Sequence, residues 1–154
     1  QSFPERSMKM NADIQDVEKI ATIVSCEQLV HRFYQALDAA EFMKLAQLFR
    51  DDGVWFRQGK QLQGNQAILK AMDERPAGRK TAHLVQNFVL DIESPVKAVA
   101  HYLTLVYRHD ASEENPGPAP IGQALAISMN HDILLKDEQG WRLEEKKSER
   151  RFGA

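Results

Sequence analysis

Phe33-Tyr34-Gln35-Ala36-Leu37-Asp38-Ala39-Ala40-Glu41-Phe42, running on through Leu45, Phe49 and Asp51-Asp52-Gly53 to Val54-Trp55-Phe56, is the stretch whose reading decides the fold. Cys26, Leu29, Val30, Phe33, Leu37 and Ala40 recur at helical spacing and define one apolar stripe. Phe42, Leu45, Ala46 and Phe49 satisfy the i, i+3, i+4, i+7 pattern of a second, short helix. Asp51-Asp52-Gly53 is turn chemistry, and Val54–Arg57 reads as a short strand that Gly59 ends. One group in this stretch needs an explanation. Asp38 sits four residues after Tyr34, and the two share a flank of the apolar stripe.

Toward the N-terminus, Ile14, Val17, Ile20, Ile23 and Val24 give a short leading helix. Ser25-Cys26-Glu27-Gln28 matches a capping box, with Val24 and Leu29 at the staple positions, so the main helix is predicted to begin near Ser25. Residues 1–12 are expected to be disordered or to lie ahead of a native start at Met8 or Met10, leaving a single domain over 13–152. Toward the C-terminus, Asn65 is a candidate N-cap for a third helix that buries Ile68, Leu69 and Met72 and stops at Pro76. The pattern then changes to long strands: Lys80–Glu93, Val96–His109, Ile121–Leu135 and Trp141–Lys147, with a Pro-rich loop over Asp110–Pro120. Three helices followed by a strand meander predict an α+β fold. The economical arrangement is a cone-shaped α+β barrel, in which a strongly curved, mostly antiparallel sheet closes over the helices and encloses a cavity.

At 154 residues the chain is long enough for one well-buried core. Its 43% hydrophobic and 27% charged content is ordinary for a globular domain. A net charge of −2 gives no case for a nucleic-acid partner. Lys146, Lys147, Arg150 and Arg151 alternate with Glu144, Glu145 and Glu149, which reads as a solvated strand face. A single cysteine, Cys26, excludes an intrachain disulfide, and no apolar run reaches the ~20 residues of a membrane span. The default reading is a cytoplasmic protein with no membrane partner.

Order and spacing of several local signatures resemble a known family. Tyr34…Leu37-Asp38-x-x-Glu41-Phe42…Leu48-Phe49-x-Asp51-Asp52-Gly53-Val54-Trp55 is similar to the opening of SnoaL-like domains, within the nuclear-transport-factor-2-like superfamily. Gly64-Asn65-x-Ala67-Ile68, Thr81-x-His83-x-x-x-Asn87 and Gly140-Trp141-Arg142-Leu143 resemble the family's third helix, first long strand and last strand. In its polar residues the chain looks most like the scytalone dehydratase branch. That resemblance implies an active site of an aspartate late in the first helix, a histidine on each of two neighbouring strands and a Ser-x-Asn pair on the next. Asp38, His83, His101 and Ser128-Met129-Asn130 stand at the matching places. The chain departs from the branch where tyrosines would hold a water against the substrate carbonyl. Leu37 occupies one such position and a residue among Trp55, Phe56 and Arg57 the other, with Tyr34 one turn away as a substitute.

These residues point to proton abstraction beside a carbonyl with loss of a β-hydroxyl, chemistry that asks for a base, an acid and a polariser and no cofactor. His83 is assigned as the base, Asp38 as the group that orients it, and His101 with Asn130 as the handlers of the departing oxygen. Tyr34, Trp55, Asn87, Ser128 and Asn130 are the candidate substrate contacts, Tyr34 and Trp55 as cavity walls. Against these stand plainer roles: a strand histidine in the core or at the rim, and Asp38 capping its helix or pairing with Arg32 or Arg79. No short His-x-His or His-x₃-His spacing supports a metal, and none is expected. The expected activity is a dehydratase or isomerase acting on a small hydrophobic, cyclic or aromatic molecule. The alternative is a non-catalytic binding or structural subunit on the same fold, such as the small subunit of a ring-hydroxylating dioxygenase. Apolar positions on both faces of the long strands predict a homodimer through the outer sheet face.

Overall fold

The computed structural model describes residues 3–112 and 117–153, with side chains from Gln15 onward. Among these residues the chain forms helices α1 (Phe3–Asp38), α2 (Phe42–Gln47) and α3 (Asn65–Asp73). The strands are β1 (Phe49–Arg57), β2 (Lys60–Gln63), β3 (Arg79–Ser94), β4 (Lys97–Asp110), β5 (Ala126–Asp137) and β6 (Gly140–Gly153). The sheet has the order β2-β1-β6-β5-β4-β3. All neighbours are antiparallel except β1 and β6, which run parallel. Residues 113–116 of the expected Pro-rich loop lie outside the described residues.

The sheet curls over the helices as a cone. Register shifts supply the bends: in β3 between Gln86 and Val89, in β1 between Phe49 and Val54, and at two points between β5 and β6. The shifts in β3 and between β5 and β6 each add one residue to a strand, that in β1 adds three, and each increases local twist. The core fills the concave side. Leu29, Val30, Phe33 and Leu37 of α1 pack with Leu45, Phe49, Trp55, Ile68, Met72, Leu134 and Leu143, all buried. Edge-to-face contacts join Phe33 to Trp55 at 5.2 Å and to Phe49 at 5.9 Å.

Four expectations are corrected. The first helix does not restart at Ser25, and regular structure begins within residues 1–12: α1 is continuous from Phe3 to Asp38. No Gly or Pro interrupts residues 5–38, so an internal Ser-x-x-Gln pattern cannot end the helix. Asp51-Asp52-Gly53 is not a turn between elements but an irregular part of β1, which opens at Phe49. The cap of α3 is Gly64, in the left-handed region at φ 85°, rather than Asn65. β5 begins at Ala126, leaving residues 121–125 outside the strand.

Candidate active site

α1 ends on Asp38, and β3 passes beneath that end. Asp38 Oδ1 accepts a hydrogen bond from Thr81 Oγ1 at 2.7 Å and lies 2.6 Å from His83 Nδ1. Its Oδ2 accepts the His83 backbone N–H at 2.8 Å. A carboxylate only accepts, so the Nδ1 partner fixes the proton on that nitrogen and leaves the Nε2 lone pair available. The His83 ring stacks on Tyr34, with centroids 5.1 Å apart and planes 28° from parallel.

Tyr34 connects this dyad to a buried polar network. Its hydroxyl lies 3.0 Å from Tyr102 Oη, donates to Asn130 Oδ1 at 3.2 Å and accepts from Lys146 Nζ at 2.8 Å. Lys146 Nζ also donates to Tyr102 Oη at 2.6 Å and to the two Asp132 oxygens at 3.2 and 3.3 Å. Tyr102 donates to Asp132 Oδ2 at 2.6 Å, and Asn130 Nδ2 donates to Thr104 Oγ1 at 3.0 Å. Asp132 is fully buried and Lys146 is 3% exposed. Burial pushes the Asp132 carboxyl above its ordinary range against the opposing pull of Lys146. Burial works against the Lys146 ammonium, yet Asp132 and Tyr34 hold its pKa above the ordinary value. Burial also raises both tyrosines, Tyr102 well above its usual value. The network therefore keeps both phenols neutral, their protons donated to Asn130 and Asp132, around a buried ammonium.

His83 of the dyad and Tyr34, Thr104, Asn130 and Lys146 of the network line one cavity of about 390 Å³, walled by Phe33, Leu37, Trp55 and Val106, with Asp38, Tyr102 and Asp132 behind them. That volume lies within the range of small-molecule sites. A larger groove of about 1200 Å³ runs between the exposed half of α1, the β3–β4 turn and Trp141. It contains no histidine and none of the buried network, which converge instead on the smaller cavity.

The structure brings together Asp38, His83, Tyr34, Trp55, Ser128 and Asn130, all at or beside this cavity. It does not bring His101 there. β4 turns Tyr102, Thr104 and Val106 inward, so His101 points to the outer face. There it meets His131 at 5.0 Å between centroids and Asp91 at 3.2 Å. The alternation of β4 was legible, but both its faces carry apolar residues, and period two alone does not say which is inside. Asn87 is likewise displaced. It occupies the β3 bulge at φ 55°, exposed and outside the cavity lining.

Tyr102, Asp132 and Lys146 were missed, and Lys146 was misread as part of a solvated face. The available signal was Ser128-x-Asn130-x-Asp132, three polar residues at alternate positions of one strand. Cys26 is fully buried in α1 off the cavity, and burial pushes its thiol up to about 12, far from a nucleophile's range. Among the described residues no three His, Cys, Asp or Glu side chains converge as metal ligands would. Nor is any helix long and apolar enough to cross a membrane.

Residues 18–147 match the SnoaL-like domain family, and the chain belongs to it. Solved structures show the same fold. A hexachlorocyclohexane dehydrochlorinase (LinA, type 2) is 16% identical with a TM-score of 0.75, covering 89% of this chain and 90% of its own. A scytalone dehydratase-like protein from Novosphingobium aromaticivorans is 17% identical with a TM-score of 0.74, covering 89% of each chain. A nuclear-transport-factor-2-like protein from the same organism, with a cystatin-like fold, is 18% identical with a TM-score of 0.71, covering 96% of this chain and 91% of its own. No curated protein sequence matches the chain.

Proposed function

We propose that the protein is a cofactor-independent acid–base enzyme, a lyase or isomerase of dehydratase type acting on a small hydrophobic, cyclic or aromatic carbonyl compound. The observation that carries this reading is the Asp38–His83 dyad, 2.6 Å between Oδ1 and Nδ1, in the wall of a cavity whose other wall is a charged donor network. His83 Nε2 removes the proton next to the carbonyl, and the C–H electron pair moves into the new double bond. Negative charge gathers on the carbonyl oxygen. The Tyr34 hydroxyl, itself hydrogen-bonded by the Lys146 ammonium at 2.8 Å, receives it by turning its proton from Asn130 Oδ1 to that oxygen. In a dehydration the C–O bond then breaks, and the proton held by His83 leaves with the hydroxyl as water. In an isomerisation His83 returns the proton to another carbon. Asp38 stabilises the imidazolium in between. Ser128, Asn130 and Thr104 position the substrate, and His101 has no part, because it lies across the sheet.

Fold and family support this reading, and the neighbouring dehydrochlorinase and dehydratase-like structures give it precedent on the same scaffold. Deuterium exchange at the α-carbon of a panel of cyclic ketones in D₂O, followed by proton NMR, tests the base without knowledge of the leaving group. Catalysed exchange is expected, with His83→Gln reducing it by about 10²–10⁴-fold while ketone binding persists. Undiminished exchange in that variant sinks the assignment. Binding without exchange in the unaltered protein favours the non-catalytic module.

A further inference from the structure

Much of the remaining lining of the cavity is arginine. Arg57, Arg75, Arg79, Arg108 and Arg150 all line it, and no Asp or Glu does so among the described residues. This runs against a chain whose net charge is −2. One carboxylate, Asp110, serves two of them: Arg79 donates to it at 2.8 and 3.2 Å and Arg108 at 3.0 and 2.6 Å. Arg75 donates only to neutral groups, the Leu37 carbonyl at 3.2 Å and Thr81 Oγ1 at 3.4 Å, and its buried Nε has no partner. Arg57 lies over the Trp55 ring, 5.5 Å from the centroid, with no carboxylate partner among the described residues. Burial, and then the other guanidinium groups, depress the pKa of both Arg57 and Arg75, in Arg75 against the opposing pull of Asp38. Like charges held together this way repel until an anion joins them.

We infer that the ligand of this cavity is an organic acid, its carboxylate gripped by Arg57 and Arg75 at the mouth and its apolar ring against Trp55, Leu37 and Val106. The inference rests on the acid–base reading for what happens deeper in the same cavity, but not for the binding itself. Guanidinium forks match a carboxylate in two parallel hydrogen bonds. Phe33, Leu37, Trp55 and Val106 give the remainder of the molecule an apolar wall. A link to the chemistry is already built. Arg75 contacts Thr81, and Thr81 donates to the Asp38 oxygen that holds His83. The acid group is thus anchored one side chain away from the dyad, which fixes how far along the ring the reacting carbon sits.

Isothermal titration with 2-naphthoate, 2-naphthamide and inorganic phosphate tests this. The acid should bind about 10- to 100-fold more tightly than the amide, as expected for a hydrogen-bonded charge. Arg57→Gln should remove that preference while leaving amide affinity unchanged, and Arg75→Lys, which keeps the charge but loses the fork, should reduce it in part. Circular dichroism of each variant must match the unaltered protein. Three results each overturn the inference: acid and amide binding equally, Arg57→Gln weakening both alike, or no acid binding at millimolar concentration. Phosphate competing as strongly as naphthoate overturns the choice of a carboxylate. Selectivity for the acid surviving in His83→Gln, with α-exchange absent in every form, removes the acid–base reading alone. Exchange without acid selectivity removes this inference alone.

Discussion

Lys146 and Asp132 illustrate what a single residue can do in this fold. Both are buried, and each satisfies the other together with Tyr34 and Tyr102. An ion pair in such a place gives little net stability over an apolar pair of equal volume, because desolving two charges offsets their attraction. Removing one partner is a different matter. Lys146→Met leaves the Asp132 carboxylate without its cation, held by the Tyr102 hydroxyl, and should cost about 3–5 kcal/mol in urea unfolding, whereas Lys146→Met with Asp132→Leu should recover most of that loss. The pH dependence has a definite sign. With Lys146 gone, burial is opposed by one cation fewer, so the folded Asp132 pKa lies further above its unfolded value of about 3.9. A raised carboxyl favours folding only while protonated, so the deficit of the single variant should shrink as pH falls below that raised value. A deficit independent of pH would place the cost in packing instead.

Among the elements, β1 shows how an apparent turn can be a strand defect. Gly53 falls in the gap of the β1–β6 register, between the Phe49–Leu143 and Val54–Glu145 pairs. A Cβ there would stand 2.9 Å from the Leu143 carbonyl oxygen, 3.0 Å from that of Arg50 and 3.2 Å from Phe49 Cβ. These are backbone and core neighbours that cannot swing away. Gly53→Ala should therefore destabilise the protein by about 1–3 kcal/mol in chemical denaturation, while Gly122→Ala, with nothing within 4 Å, should be neutral. Equal effects at the two sites would show that β1 can shift to make room. The same element explains what was legible in advance. Helical periodicity is local, so the second half of α1, α2, α3 and the order of the long strands could be read, whereas the pairing of Asp38 with His83 came from the family resemblance. Bulges are not local. The shift between Gln86 and Val89 displaces Asn87, and only the β4–β5 register tells that Tyr102 and Asn130 are inside while His101 and His131 are outside. Lys146 and Asp132 meet for the same reason, as a cross-strand pair that neither strand announces alone.

The whole molecule has an outer face that nothing covers among the described residues. Registered rows cross it: Leu84, Leu105, Ile127 and Phe152; Gln86, Leu103 and Met129; Val89, His101 and His131. Leu84, Val89, Met129 and Phe152 are 46%, 56%, 44% and 63% exposed. A contiguous apolar patch of this kind marks an interface, and a sheet face backed onto its own copy by a twofold axis meets the same residues it presents. A homodimer through this face is therefore expected, with about 800 Å² of each copy covered if it is of ordinary size. It would also bury the His101–Asp91 pair at the seam rather than in any active site. Light scattering should give twice the chain mass. Val89→Glu should give the monomer with the fold intact, since the side chain is exposed in the single chain and its removal leaves no cavity. The N-terminal half of α1 is the rival surface, with Val17, Ile20 and Val24 at 65%, 62% and 53% exposure. Dissociation by Ile20→Glu but not by Val89→Glu would move the interface to that helix, and a monomer in the unaltered protein would remove it altogether.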